Sequence, residues 1–130
     1  MIIDTSAVIA ILFGEPDAGR YAEAIGVADS CRISAATFVE VSIVVDAQTK
    51  GHGGRALDAL LRRANVTIEP VTVEQAHLAR EAYAEYGKGR HRAGLNFGDC
   101  FAYALAKATG EPLLYKGNDF KKTDIVSAAI

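Results

Sequence analysis

Four short apolar stretches, "MIID", "CRIS", "VTIEPV" and "PLLYK", recur along the chain with a helical pattern between each pair. This alternation constrains the fold more than any other feature. Successive strands separated by helices read as βαβ units, and such units build a parallel sheet with helices packed on it. "AVIAILF" reads as a short helix that stops at Gly14, and Glu15-Pro16-Asp17 opens a second that runs to about Gly26. Ser34 is placed to cap a long helix over residues 35–49. "RALDALLRRA" is a further helix, and Thr72 caps "VEQAHLAREAYAEYG". The polar loop "KGRHRAGLN" precedes "FGDCFAYALAKATG", a helix closed by Gly110, and "TDIVSAA" is a candidate fifth strand. At 130 residues with half of them hydrophobic, the chain suits a single domain, 1–130, with a real core.

The first strand ends on a carboxylate. Asp4 follows "MII" and precedes Thr5 and Ser6, and a charge at the tip of a buried strand is costly unless something pairs with it. Three other acids stand in comparable places. Glu40 shares a helix face with Ala36, Thr37, Ile43 and Val44. Asp99 heads a face carrying Ala102 and Tyr103. Asp119 follows the "PLLYK" strand in a Gly-Asn-Asp loop. Each has an ordinary local explanation: a boundary Glu that reaches water, an acid three residues after an Asn96 N-cap, a turn Asp. Together they point elsewhere, because ligand sites in open parallel sheets gather beyond the carboxyl ends of the strands. Carboxylates brought together there cannot all stay ionised without a cation, and Mg²⁺ suits an all-oxygen site.

The formal charge of −2 excludes a strongly basic nucleic-acid coat and an acidic tail, so local clusters must decide the partner. Lys88, Arg90, His91 and Arg92 fall within five positions just before the Asp99 helix, flanked by Tyr83, Tyr86 and Phe97. They are candidates for phosphate binding and base stacking; the competing reading is a solvated loop beside core aromatics. Lys116, Lys121 and Lys122 add charge near the last loop. His52, His77 and His91 share no spacing and read as surface residues. Cys31 and Cys100 have no metal-ligand spacing, and no stretch is long enough to span a bilayer, which together suggest a reduced, cytoplasmic setting. A P-loop or Rossmann site lacks its glycine-rich turn in "DTSA", and a haloacid-dehalogenase-like phosphatase would need a second Asp where Ser6 stands.

"IIDTSAVIAIL", "ISAATFVEVSIVV" and "GLNFGDCFAYALAKATGEPLLYKGNDFKKTDI" resemble the PIN-domain ribonucleases over nearly the whole chain, in particular the VapC toxins of bacterial toxin–antitoxin pairs and most of all their mycobacterial members. The resemblance implies a three-layer α/β/α fold around a parallel sheet of about five strands. It implies Asp4, Glu40 and Asp99 as catalytic acids on a Mg²⁺ ion, with Mn²⁺ able to substitute. The fourth acid is Asp119 or, less directly, Asp124, since Asn118 occupies a position that is acidic in relatives. The resemblance further implies RNA cleavage, homodimerisation and inhibition by a VapB antitoxin. In this reading Lys88, Arg90 and Arg92 hold RNA, and Thr5 and Ser6 either support the carboxylates or cap the first helix. The alternative is a catalytically silent PIN-like module that binds RNA or protein.

Overall fold

The computed structural model describes residues 1–130. In chain order the elements are β1 (Ile2–Ile3), α1 (Thr5–Leu12), α2 (Ala18–Val27), β2 (Cys31–Ser34), α3 (Ala35–Thr49), α4 (Gly54–Arg63), β3 (Val66–Glu69), α5 (Val73–Tyr86), α6 (Phe97–Thr109) and β4 (Leu113–Leu114), followed by a 3-10 turn at Phe120–Lys122. The sheet is parallel throughout, in the order β3-β2-β1-β4.

Strand alternation sorts the core into two layers. Ile2 and Leu113 are paired in register and face one cluster, with Ala79, Ala82, Leu95, Ala102 and Leu105 from α5, α6 and the loop between them. Ile3 and Leu114, the next pair, face the other, with Val8, Ile25, Val41, Val45 and Leu57 from α1 to α4. Helices therefore cover both faces, as βαβ connections require. The two-residue strands β1 and β4 hold because all four side chains are buried on one face or the other; each is worth about 1.5–3 kcal/mol of burial.

The helix starts follow local chemistry. Ser34 accepts the Ala36 N–H, Thr72 accepts that of Gln75, and Asn96 exchanges bonds with Asp99 in a full capping box. Gly110, at φ 70°, takes the left-handed turn that ends α6 and aims the chain into β4.

One expectation fails. The sheet has four strands, not about five. The stretch "TDIVSAA" makes a single bridge, Leu113 to Ser127, with the Leu113 N–H on Val126 O and the Ala128 N–H on Leu113 O, both at 2.9 Å. Side chains hold this tail in place of a ladder: Tyr103 Oη and Lys107 Nζ both bind Asp124, at 2.6 and 2.7 Å, and Tyr115 Oη meets Ser127 Oγ at 2.6 Å.

Candidate active site

Beyond the carboxyl end of β1, Asp4 is 3% exposed. It is the N-cap of α1, and its Oδ2 accepts both the Ser6 N–H (3.0 Å) and the Ser6 hydroxyl (2.6 Å). Ser6 Oγ in turn accepts the Lys116 N–H at 2.9 Å, which ties α1 to the chain leaving β4. Asp4 Oδ1 is buried with no hydrogen-bond partner. An orphaned carboxylate oxygen in such a place is expensive unless something outside the chain engages it. Burial raises the Asp4 pKa, the Ser6 bonds work against that, and the Glu40 charge adds to it.

Glu40 projects from α3, and the Thr5 hydroxyl donates to its Oε1. The carboxyl group lies against the first turn of α6 at Gly98, where it would collide with any β-carbon. Asp99 is the third residue of α6, and its Oδ2 accepts the Asn96 N–H at 3.0 Å. Burial pushes the Asp99 carboxyl up to about 7; the Asn96 N–H pulls it down, and the charges of Asp4, Glu40 and Asp119 push it further up. The charges of three acids from separate parts of the chain therefore act on Asp99, where their fields meet. Their side chains do not close into a group of three at metal-ligand spacing. The donor set is nonetheless all oxygen, with one buried oxygen unclaimed, and that chemistry fits a hard divalent cation.

The two candidates for the fourth acid stand in different surroundings. Asp119 is exposed at the start of the 3-10 turn, and its charge acts on Asp99. Asp124 is occupied by Tyr103 and Lys107; although burial raises its pKa, those bonds hold it below the usual carboxylate value. Thr5 and Ser6 do not serve as helix caps. Asp4 caps α1, and both hydroxyls donate to acids of the site.

Lys88, Arg90 and Arg92 are all exposed, on a loop held by two bonds between its ends: Lys88 N–H to Leu95 O and Leu95 N–H to Tyr86 O. Arg90 lies 5.8 Å from the Tyr83 ring centre. Lys122 Nζ reaches Arg92 O at 3.4 Å, which brings the 3-10 turn beside this loop. Three expectations are corrected here. Lys116 is not a free cation, because Glu15 and Asp17 both bind its ammonium. Tyr86 is buried in the core and offers no stacking face, whereas Phe97 is 77% exposed. His91 is half-buried, edge-on to Tyr86 at 5.2 Å, with Nδ1 accepting the Ala93 N–H; His52 and His77 are exposed. Sequence reasoning missed Gly98. Its signal was a glycine inside a helical stretch next to an acid, a placement that usually has a packing or functional cause.

A groove of about 510 Å³ runs between α5 and α6, lined by Ala76, Ala79, Tyr83, Phe97 and Phe101 with Arg80 at its edge. No helix is long and apolar enough to cross a membrane.

Comparison with known proteins gives the chain's relatives and its fold. The PIN domain family model matches residues 1–126. The chain is 53% identical to Ribonuclease VapC30 of Mycobacterium tuberculosis over 131 aligned positions, covering 100% of this chain and 99% of that protein. Among solved structures, it is similar to VapC20 of Mycobacterium tuberculosis, described as a toxin that cleaves the sarcin–ricin loop, with a TM-score of 0.76 at 18% identity, covering 99% and 98% of the two chains. It also resembles a chain of a toxin–antitoxin complex from Klebsiella pneumoniae, with a TM-score of 0.71 at 20% identity, covering 95% and 92%.

Proposed function

The chain belongs to the PIN-domain family, alongside the VapC ribonucleases, and from that premise we propose that it is the toxin of a toxin–antitoxin pair, a metal-dependent endoribonuclease. The observation that carries the proposal is Asp4 Oδ1, a buried acceptor with no partner in a site that also gathers the charges of Glu40 and Asp99.

Asp4, Asp99 and Glu40 are the residues that would hold Mg²⁺ or Mn²⁺, with Asp119 completing the acidic set. A divalent cation bound there supplies charge neutralisation at the scissile phosphate and an acidified water for hydrolysis. The chain itself prepares this chemistry by fixing its acids before substrate arrives. Ser6 occupies Asp4 Oδ2 and leaves Oδ1 for the ligand. Asn96 fixes Asp99 through one oxygen. Thr5 takes Glu40 Oε1 and helps hold the carboxylate against the first turn of α6, from where Glu40 would orient the attacking water. Lys88, Arg90 and Arg92 are free of acidic partners; they would bind RNA phosphates and set the register of the strand, with Lys121 and Lys122 extending the same basic edge.

A nuclease of this kind needs restraint. An antitoxin of the VapB type would lay an apolar segment in the α5–α6 groove and direct a cation toward the carboxylates. The exposed Val39 and Ile43 supply further apolar surface for a partner, including a second copy of the chain. We place the protein in the cytoplasm as a single PIN domain over 1–130. The experiment is to map RNA ends after expression of the wild-type chain and of Asp4→Asn. New 5′ ends with the wild type alone support the proposal. No metal-dependent cleavage by the purified, folded wild type leaves the silent binding module as the better reading.

A further inference from the structure

We propose that Gly98 is a positioning residue whose missing side chain makes the seat for the Glu40 carboxylate. Its consequence for catalysis rests on the ribonuclease reading above; the packing relation does not. Gly98 is the second residue of α6, and its backbone is not in the left-handed region. Conformation therefore does not require glycine here. Helix propensity opposes it, because glycine is the least favourable helix residue after proline. What requires it is space. A β-carbon at this position would overlap Glu40 Oε2 and crowd Cδ at 2.5 Å and Oε1 at 2.9 Å. Three other helical glycines, Gly19, Gly26 and Gly54, have nothing within 4 Å of the same point. Only at Gly98 would a β-carbon press into an acidic group from a distant part of the chain.

The seat has two walls. Thr5, from the first turn of α1, holds Glu40 through Oε1. The first turn of α6 receives the carboxylate where Phe97 and Gly98 have no intrahelical acceptors for their N–H groups, a favourable end for a negative charge. Asp99 is the next residue along, so the same turn sets the spacing between the two acids. Adding one methyl at position 98 would swing the flexible Glu40 arm out of the seat and leave the helix intact. The effect would fall on the site more than on the fold.

The test is a double-mutant cycle with Gly98→Ala and Glu40→Ala. Without the Glu40 side chain nothing opposes the new methyl, so Gly98→Ala should raise Tm by about 2–3 °C through helix propensity. With Glu40 present the gain should vanish or reverse. In RNA cleavage, Gly98→Ala alone should lower kcat by about tenfold or more, as misplacement of a catalytic group does. KM should stay within about threefold, since RNA binding is not touched, and in the Glu40→Ala background no further loss should follow. The rise in Tm on adding Mn²⁺ should shrink in Gly98→Ala. Equal Tm shifts in both backgrounds would overturn the inference, as would coupled Tm values with unchanged kcat and unchanged Mn²⁺ response. If Gly98→Ala does not fold with Glu40 present, folding restored by Glu40→Ala supports the seat, and failure in both backgrounds overturns it. If the wild type cuts no RNA, the functional reading fails, and the Tm cycle together with the Mn²⁺ response still decides the inference.

Discussion

Replacing Asp99 by Asn should stabilise the metal-free protein, by an amount that grows as pH rises from about 4 to about 7. The Asp99 carboxyl is pushed from 3.8 to about 7, first by burial and then by the charges of Asp4, Glu40 and Asp119. Each unit is worth about 1.4 kcal/mol, so the full shift of about 3 units sets an upper bound of about 4 kcal/mol. The side chain is partly open to solvent, and screening reduces this to about 2 kcal/mol. Asn can still accept the Asn96 N–H, so the capping box survives, but a negative charge on the α6 dipole is lost, at about 0.3–1 kcal/mol. The net gain is about 1–2 kcal/mol, or a Tm rise of about 3–8 °C for a chain of this length. The sign follows from the raised pKa. Ionised Asp99 is disfavoured in the folded state, so the wild type loses the Asp99 share of its stability as pH rises from about 4 to about 7, and the variant is spared that share. The two should therefore melt alike near pH 4 and separate by pH 8. Mg²⁺ or Mn²⁺ at pH 8 should raise the wild type and close the gap. Thermal melts of both proteins across pH 4–8, with and without metal, provide the assay. A variant no more stable than the wild type at pH 8, or a gain independent of pH, would refute the claim that burial and the neighbouring acids disfavour ionised Asp99.

Other perturbations separate binding, chemistry and scaffold. Asp4→Asn should abolish cleavage and most of the metal-induced rise in Tm, read by melting at saturating Mn²⁺, because it weakens the buried oxygen available to the ion. Replacing Lys88, Arg90 and Arg92 together by Ala should weaken RNA binding across sequences and flatten the salt dependence by about 0.7 of a log unit for each single-strand phosphate that these cations neutralise, with cleavage at saturating RNA largely kept. An unchanged salt slope would reassign this loop to a protein interface. Leu113→Ala, at a fully buried position that pairs with both β1 and the tail, should cost about 2–5 kcal/mol in denaturant melts. Asp124→Ala frees the tail from Tyr103 and Lys107 and should cost about 1–3 kcal/mol while sparing kcat, since both Asp124 oxygens are engaged by those two side chains.

What could be read from the amino-acid order alone was mostly local. The capping by Ser34, Thr72 and Asn96, and the end of α6 at Gly110, depend on bonds and backbone turns within a few residues, so neighbours in sequence are enough to write them. The strand "CRIS" and the long helix after it were legible for the same reason. Asp4, Glu40 and Asp99 stood out because a carboxylate among apolar neighbours conflicts with its surroundings, and a conflict can be seen without knowing what resolves it. Its resolution belongs to the tertiary structure. Whether Asp119 or Asp124 faces Asp99 depends on how the tail folds back on α6, and a Tyr and a Lys on that helix claim Asp124. Lys116 looked free until α1 and β4 met and brought Glu15 and Asp17 to it from about a hundred residues away. The fifth strand had a β-like sequence but found only one residue of β4 to bond. Gly98 carried no readable purpose until α3 brought Glu40 to it. Short-range hydrogen bonds and hydrophobic periodicity are properties of a segment; the pairing of a charge, or the space a side chain must leave empty, is a property of whatever the fold sets beside it.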